Sequence, residues 1–157
     1  MSDFAGRTAV ITGGAGGIGR AIALALAALK INLCLIGRRA SMLEAVAAEA
    51  QNFGVEARYV SADLAQDAEL AKLGSALETY QGSIDILVHA VGLIEPGAIE
   101  QSSLADFDKH HKLNVRAPYE LTRLLLPILK ARKGEIIFIN SSAGMGGRPL
   151  TALYDSS

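Results

Sequence analysis

Where the apolar run 7–12 (RTAVIT) meets the alanine-rich run 17–30 stands the segment Thr12-Gly13-Gly14-Ala15-Gly16-Gly17-Ile18-Gly19. Glycines this closely spaced let the backbone turn sharply and let a diphosphate approach it. The free amides at the start of the following helix then receive the negative charge. The segment predicts a strand, a tight turn and a helix, with a nucleotide seated on the turn. The other reading is a purely structural strand–helix connection. No Gly-Lys-Ser/Thr follows the glycines, so the ATP-binding type of loop loses support.

The rest of the chain repeats the alternation. Strands are expected at 32–36, 55–60, 84–90 and 135–140, and helices at 40–52 and 66–80. Residues 91–101, with Gly92, Pro96 and Gly97, read as a loop that edges a pocket. A long helix is expected over 106–132, kinked or divided at Pro118 and Pro127, each of which removes an amide donor. Residues 141–149 read as a loop of small residues. Alternation of this kind predicts an α/β fold: a Rossmann-like, doubly wound parallel sheet in a three-layer αβα arrangement. Residues 1–157 are taken as one domain, with no repeat or linker in them.

Composition narrows the partners. Half of the 157 residues are hydrophobic and 20% are charged, which suits a packed domain. A formal net charge of −1 gives no footprint for nucleic acid or an anionic membrane. Cys34 is the only cysteine, so no internal disulfide forms, and its apolar neighbours suit buried packing. No apolar run reaches the roughly 18 residues of a membrane span. The N-terminal Met1-Ser2-Asp3-Phe4 lacks the basic start of a secretory signal, which leaves a reducing cytoplasmic setting as the expectation.

Two further groups of residues carry chemistry. At the end of the second strand stand Ile36-Gly37-Arg38-Arg39 rather than an acidic residue. A carboxylate there would accept from a free ribose 2′-hydroxyl; guanidinium groups suit a 2′-phosphate instead, favouring NADP(H) over NAD(H). The alternative for Arg38 and Arg39 is solvated surface. Asp63, after the third strand, either accepts from an adenine amino group or serves as a turn residue. Ser141 closes the fifth strand and Tyr154 follows thirteen residues later, both placed for the carboxyl edge of the sheet. A serine hydroxyl can donate to a developing alkoxide, and a phenol can deliver a proton once a cation lowers its usual pKa of about 10. A serine-hydrolase elbow of Gly-x-Ser-x-Gly form is absent. His110 and His111, with Asp106 one turn earlier, lack a third ligand and read as solvated or interface residues, so no metal is expected. Leu93, Ile94 and Ile99 either line an apolar substrate wall or pack within their loop.

Together these motifs resemble the short-chain dehydrogenase/reductase family in its compact form. Thr12, Gly13, Gly17, Ile18 and Gly19 match its Thr-Gly-x-x-x-Gly-x-Gly loop, and Asp63-Leu64 its adenine-contacting pair. Asn114, in Leu-Asn-Val, resembles the asparagine of the proton relay. Asn140-Ser141-Ser142-Ala143-Gly144 resembles the catalytic-serine segment, and the interval to Tyr154 selects Ser141. Tyr154 resembles the general acid/base. Where the family has Asn-Asn-Ala-Gly, this chain has His89-Ala90-Val91-Gly92. Ala90 thus lacks an amide that stabilises the sheet, Gly92 keeps the approach to the nicotinamide-side ribose, and His89 reads as a strand-end structural residue.

The resemblance implies hydride transfer between NADP(H) and a small-molecule carbonyl or alcohol. Ser141, Tyr154 and Asn114 would be catalytic; Gly13, Gly17, Ile18, Gly19, Arg38, Arg39, Asp63, Leu64, Ala90 and Gly92 would hold the cofactor. It also implies a sheet truncated after its fifth strand and a homo-oligomer, dimer or tetramer, when complete, with Leu121, Leu124, Leu125 and Leu129 marking a subunit contact. The family's lysine, four residues after the tyrosine, would fall one residue beyond Ser157. The chain taken alone is therefore expected to be inactive or severely impaired. The alternative is a non-catalytic fragment that self-associates through an exposed sheet edge or needs the missing C-terminal segment.

Overall fold

The computed structural model describes residues 4–78 and 83–157. Among them five strands, β1 (Thr8–Thr12), β2 (Asn32–Gly37), β3 (Ala57–Ser61), β4 (Ile86–His89) and β5 (Glu135–Phe138), form one parallel sheet. Their order is β3-β2-β1-β4-β5. The chain winds outward from β1 through β2 to β3, then crosses back to β4 and on to β5. The winding therefore reverses between β1 and β4, the switch point where doubly wound sheets open a crevice.

Alternation of side chains assigns each strand residue to one of two cores. Val10 pairs with Cys34 and Leu87, and all three join the core under helices α3 (Asp67–Glu78) and α5 (Ala117–Arg132). Ile11 pairs with Leu35 and Val88, which join the core under α1 (Gly17–Ala28) and α2 (Ala40–Gln51). Both faces of the central strands are thus covered, which is why they read as continuous apolar runs. In α1, Ala23 and Ala27 are fully buried; their small side chains bring the helix close to the sheet. At the outer edge, β5 carries Ile137 and Phe138 largely exposed.

Several expected boundaries shift. Strand β3 covers 57–61 rather than 55–60, β4 covers 86–89 rather than 84–90, and β5 stops at Phe138 rather than 140. The expected end of α3 at 79–80 lies outside the described residues.

The long helical stretch starts at Leu104 instead of 106, because Ser103 and Asp106 form a capping box: the Asp106 amide donates to Ser103 Oγ at 3.2 Å, and the Ser103 amide to Asp106 Oδ2 at 2.9 Å. The irregularity is also placed differently. After α4 (Leu104–His111), a single π-helical turn covers Lys112–Arg116, directly before α5. Pro118 falls in the first turn of α5, where its missing amide is harmless, and Pro127 sits within a helix that runs on unbroken to Arg132.

Two other expectations are corrected. Leu121, Leu125 and Leu129 are buried against the sheet rather than offered to a second subunit; each contributes roughly 2–3 kcal/mol of burial there. His110 is fully buried instead of solvated.

Candidate active site

The turn after β1 depends on two close approaches. Gly13 has φ +68°, and a Cβ on it would lie 2.9 Å from the Ala90 carbonyl oxygen. A Cβ on Gly19 would lie 2.2 Å from the Gly13 oxygen, so a side chain there would force the turn apart. Gly17 is different, since a Cβ on it would meet open space. Its side of the turn faces a free volume, and no side chain caps the start of α1.

Thr12, fully buried at the end of β1, ties this turn to β4: its hydroxyl accepts from the amides of Ala90 (3.1 Å) and Val91 (3.3 Å) and donates to the Val88 carbonyl at 3.4 Å. In the sequence Thr12 is legible only as part of the motif; its partners are 76 to 79 residues away and carry no local signal.

A cleft of about 200 Å³ opens over this switch point. Gly13, Gly16, Arg38, Arg39, Asp63, Leu64, Ala90 and Gly92 line it, bringing together residues from four strand ends. Gly19 forms the turn from behind, and Ile18 is exposed at the helix start. Arg38 also borders a wider cleft of about 550 Å³, shared with Asp63, Glu69 and Lys72. Among the described residues no carboxylate pairs with Arg38 or Arg39, so both guanidinium groups are free for an anion. Asp63 does act as a turn residue: its Oδ1 accepts from the Ala65 amide at 3.1 Å, while its own amide donates to Glu69.

The proposed reacting groups meet in a smaller cleft of about 80 Å³ lined by Gly92, Asn114, Asn140, Ser141, Gly144 and Tyr154. Val91 and Gly92, just after β4, line both this cleft and the 200 Å³ one, so the two are neighbours there. Ser141 Oγ accepts from the Ala143 amide at 3.1 Å, which leaves its proton available to another acceptor. Asn114 lies in the π-helical turn and uses its whole amide: Oδ1 accepts from the Leu93 amide at 2.7 Å, and Nδ2 donates to the Leu93 carbonyl and to Ser157 Oγ, each at 2.9 Å. Such turns often mark functional positions.

Next to Tyr154, Asp155 Oδ2 accepts from Thr151 Oγ1 at 2.7 Å and from the Arg148 amide at 2.9 Å. The Thr151 hydroxyl first, then the Arg148 amide, hold its carboxyl below the usual carboxylate range. Asp155 thus ties down the loop before Tyr154, a role with no motif in the sequence to announce it.

His89 stays within the sheet. It is 3% exposed, its ring stacks on Phe138 at 4.8 Å, and its Nε2 lies 2.9 Å from Thr122 Oγ1. Burial lowers its pKa to about 4. Asp106 is engaged in capping α4, and among the described residues no three His, Cys, Asp or Glu side chains gather as a metal site would need. Nor is any described helix long and apolar enough to cross a membrane.

The family described as short chain dehydrogenase matches residues 7–157. A short chain dehydrogenase of Pseudocercospora fijiensis is 35% identical across the whole chain, which spans 52% of that protein. Nodulation protein G of a Rhizobium species is 37% identical, again across the whole chain and 63% of the relative. The chain thus spans between half and two-thirds of these curated relatives.

Among solved structures, a metagenomic short-chain oxidoreductase in complex with NADP superposes with a TM-score of 0.92 at 33% identity, over 99% of this chain and 71% of the other. L-Sorbose reductase from Gluconobacter frateurii, complexed with NADPH and L-sorbose, gives 0.92 at 28% identity over 98% and 59%. The match along nearly the full chain, on a sheet of the same kind, makes this protein a member of the short chain dehydrogenase family of oxidoreductases.

Proposed function

We propose that the chain carries the nucleotide site and the proton-transfer residues of an NADP(H)-dependent oxidoreductase that interconverts a carbonyl and an alcohol. The observation that carries this reading is that two neighbouring clefts share Val91 and Gly92 as lining. One holds the glycine turn and two unpaired arginines, the other Ser141 and Tyr154. The residues fit a dinucleotide: open space beside Gly17 and an uncapped helix start suit the diphosphate. Arg38 and Arg39 suit a 2′-phosphate, and Asp63 and Leu64 the adenine side, with Gly13, Ile18, Gly19, Ala90 and Gly92 completing the cradle.

The chemistry a bound NADP(H) supplies is hydride transfer to or from the carbonyl carbon. Ser141 donates its proton to the carbonyl oxygen and orients it, while the Ala143 amide holds the hydroxyl oxygen in place. Tyr154 delivers the proton that turns the alkoxide into an alcohol, and accepts it back in oxidation. Asn114 supports the proton relay from a fixed position, its amide being held on both faces. A reducing, cytoplasmic compartment suits the buried thiol of Cys34. Assembly as a dimer or tetramer would draw on Val115 and Tyr119, exposed along the helical stretch, rather than on the buried leucines.

The test is NADPH consumption by the complete protein against a panel of ketones and aldehydes, with Tyr154→Phe alongside. Turnover should fall at least about a hundredfold in the variant, within the usual range for losing a general acid. Normal turnover by Tyr154→Phe would sink the assignment.

A further inference from the structure

We propose that His110 is a positioning residue that fixes the 93–97 segment as the substrate-facing wall of the catalytic cleft. This rests on the reading that Ser141 and Tyr154 form the reacting centre.

The segment is held at every second residue. Leu93 is gripped through both its amide and its carbonyl by Asn114. The Glu95 amide donates to His110 Nε2 at 3.3 Å, and the Gly97 amide donates to the Leu150 carbonyl at 2.8 Å, four residues before Tyr154. His110 and Asn114 stand four residues apart, so one turn of the helical stretch presents two side chains to backbone groups two residues apart in an extended segment. Glu95 is held a second time, by Lys109 Nζ at 2.5 Å from its Oε1. The result is a strap that leaves the catalytic cleft at Gly92, which lines it, and is tied at Gly97 to the loop that leads to Tyr154. Ile94 projects from it, about half exposed.

Burial makes the histidine's role specific. The ring is fully buried, and Nδ1 lies 2.9 Å from the Asp106 carbonyl, which can only accept. Nδ1 therefore carries the proton, and Nε2 is left as the acceptor that the Glu95 amide needs. An apolar residue of similar size would fill the space and leave that amide to water, freeing the strap without emptying the core. Wall contacts act on bound substrate and transition state alike, so loosening them raises KM more than it lowers kcat.

The experiment compares the complete wild-type protein with His110→Leu and His110→Gln. In His110→Leu, amide exchange at Glu95 should quicken about tenfold, with the β1 and β4 amides unchanged. KM for the carbonyl substrate should rise roughly three- to tenfold, with kcat within about twofold and the dissociation constant for NADPH unaltered. Glutamine can place an amide oxygen near the Nε2 position and should recover most of the protection.

The wild-type ring is read directly by nitrogen NMR, which should show the Nδ1–H form coupled through Nε2 to the Glu95 amide. That measurement stands even if His110→Leu fails to fold. An Nε2–H ring, unchanged Glu95 exchange in a folded leucine variant, a glutamine variant as unprotected as leucine, or faster exchange at constant KM would each overturn the proposal. Absence of any carbonyl turnover in wild type, with the exchange response intact, would strike instead at the reading of Ser141 and Tyr154 and remove the substrate role, leaving only the anchor.

Discussion

Thr12 Oγ1 accepts the amide of Ala90 at 3.1 Å, joining the end of β1 to the end of β4 at the point where the sheet reverses its winding. The same oxygen takes the Val91 amide at 3.3 Å. One buried hydroxyl thus bridges the ends of the two strands that lead into both clefts. Thr12→Val keeps the shape and removes the acceptor. It should cost about 1–3 kcal/mol, the usual penalty for stranding buried donors. Urea unfolding of the two proteins checks this, and an unchanged midpoint would show that water replaces the hydroxyl freely.

A second long-range tie holds the opposite end of the sheet. Asp85, 5% exposed, accepts from the Thr8 amide at 2.9 Å and from Arg132 through Nε at 2.9 Å and Nη2 at 2.8 Å. Arg132→Met leaves the carboxylate buried with, among the described residues, the Thr8 amide as the partner of its side chain. Because the arginine is itself about half exposed, the expected loss is about 2 kcal/mol, below the range for a wholly buried pair. Thermal unfolding should show a lower Tm. Equal stability would mean that the arginine serves only as a surface contact.

Arg38 is expected to choose the cofactor. A guanidinium paired with a 2′-phosphate is a charge-assisted contact, and its loss lowers affinity about ten- to a hundredfold. Arg38→Ala should weaken NADPH by that factor and leave NADH nearly unchanged, as read by two fluorescence titrations on the complete protein. If both cofactors weaken equally, or wild type prefers NADH, the turn after β2 has been misassigned.

His89 makes stability depend on pH. Burial lowers its pKa from 6.5 to about 4, so between those values the unfolded chain binds a proton that the folded one refuses. Its contribution is complete above about pH 6.5 and is lost as pH falls toward 4, by on the order of 3 kcal/mol at most. Unfolding free energies measured at pH 7.5 and 5 should differ by less in His89→Asn than in wild type. A ring titrating near 6.5 in the folded protein would remove the effect.

Local chemistry and order along the chain are legible in the amino acids alone. The glycine turn, the alternation of strands and helices, Arg38-Arg39 at a strand end, and the interval from Ser141 to Tyr154 are written in neighbouring residues. Turn conformation and side-chain type act over a few positions, and so do not need the rest of the chain to be read. Tertiary structure decided which surfaces those elements present and which distant atoms they meet. Periodicity puts Leu121, Leu125 and Leu129 on one stripe of a helix, but only the position of the sheet turns that stripe inward rather than toward a second subunit. Two prolines announce a disturbed helix; the π-helical turn instead falls at 112–116, where Asn114 takes hold of Leu93. Thr12 with Ala90, Asp85 with Arg132, and His110 with Glu95 join residues 15 to 78 positions apart. Such pairings follow from how strands and helices are stacked, because a hydrogen bond reaches about 3 Å through space and takes no account of sequence distance.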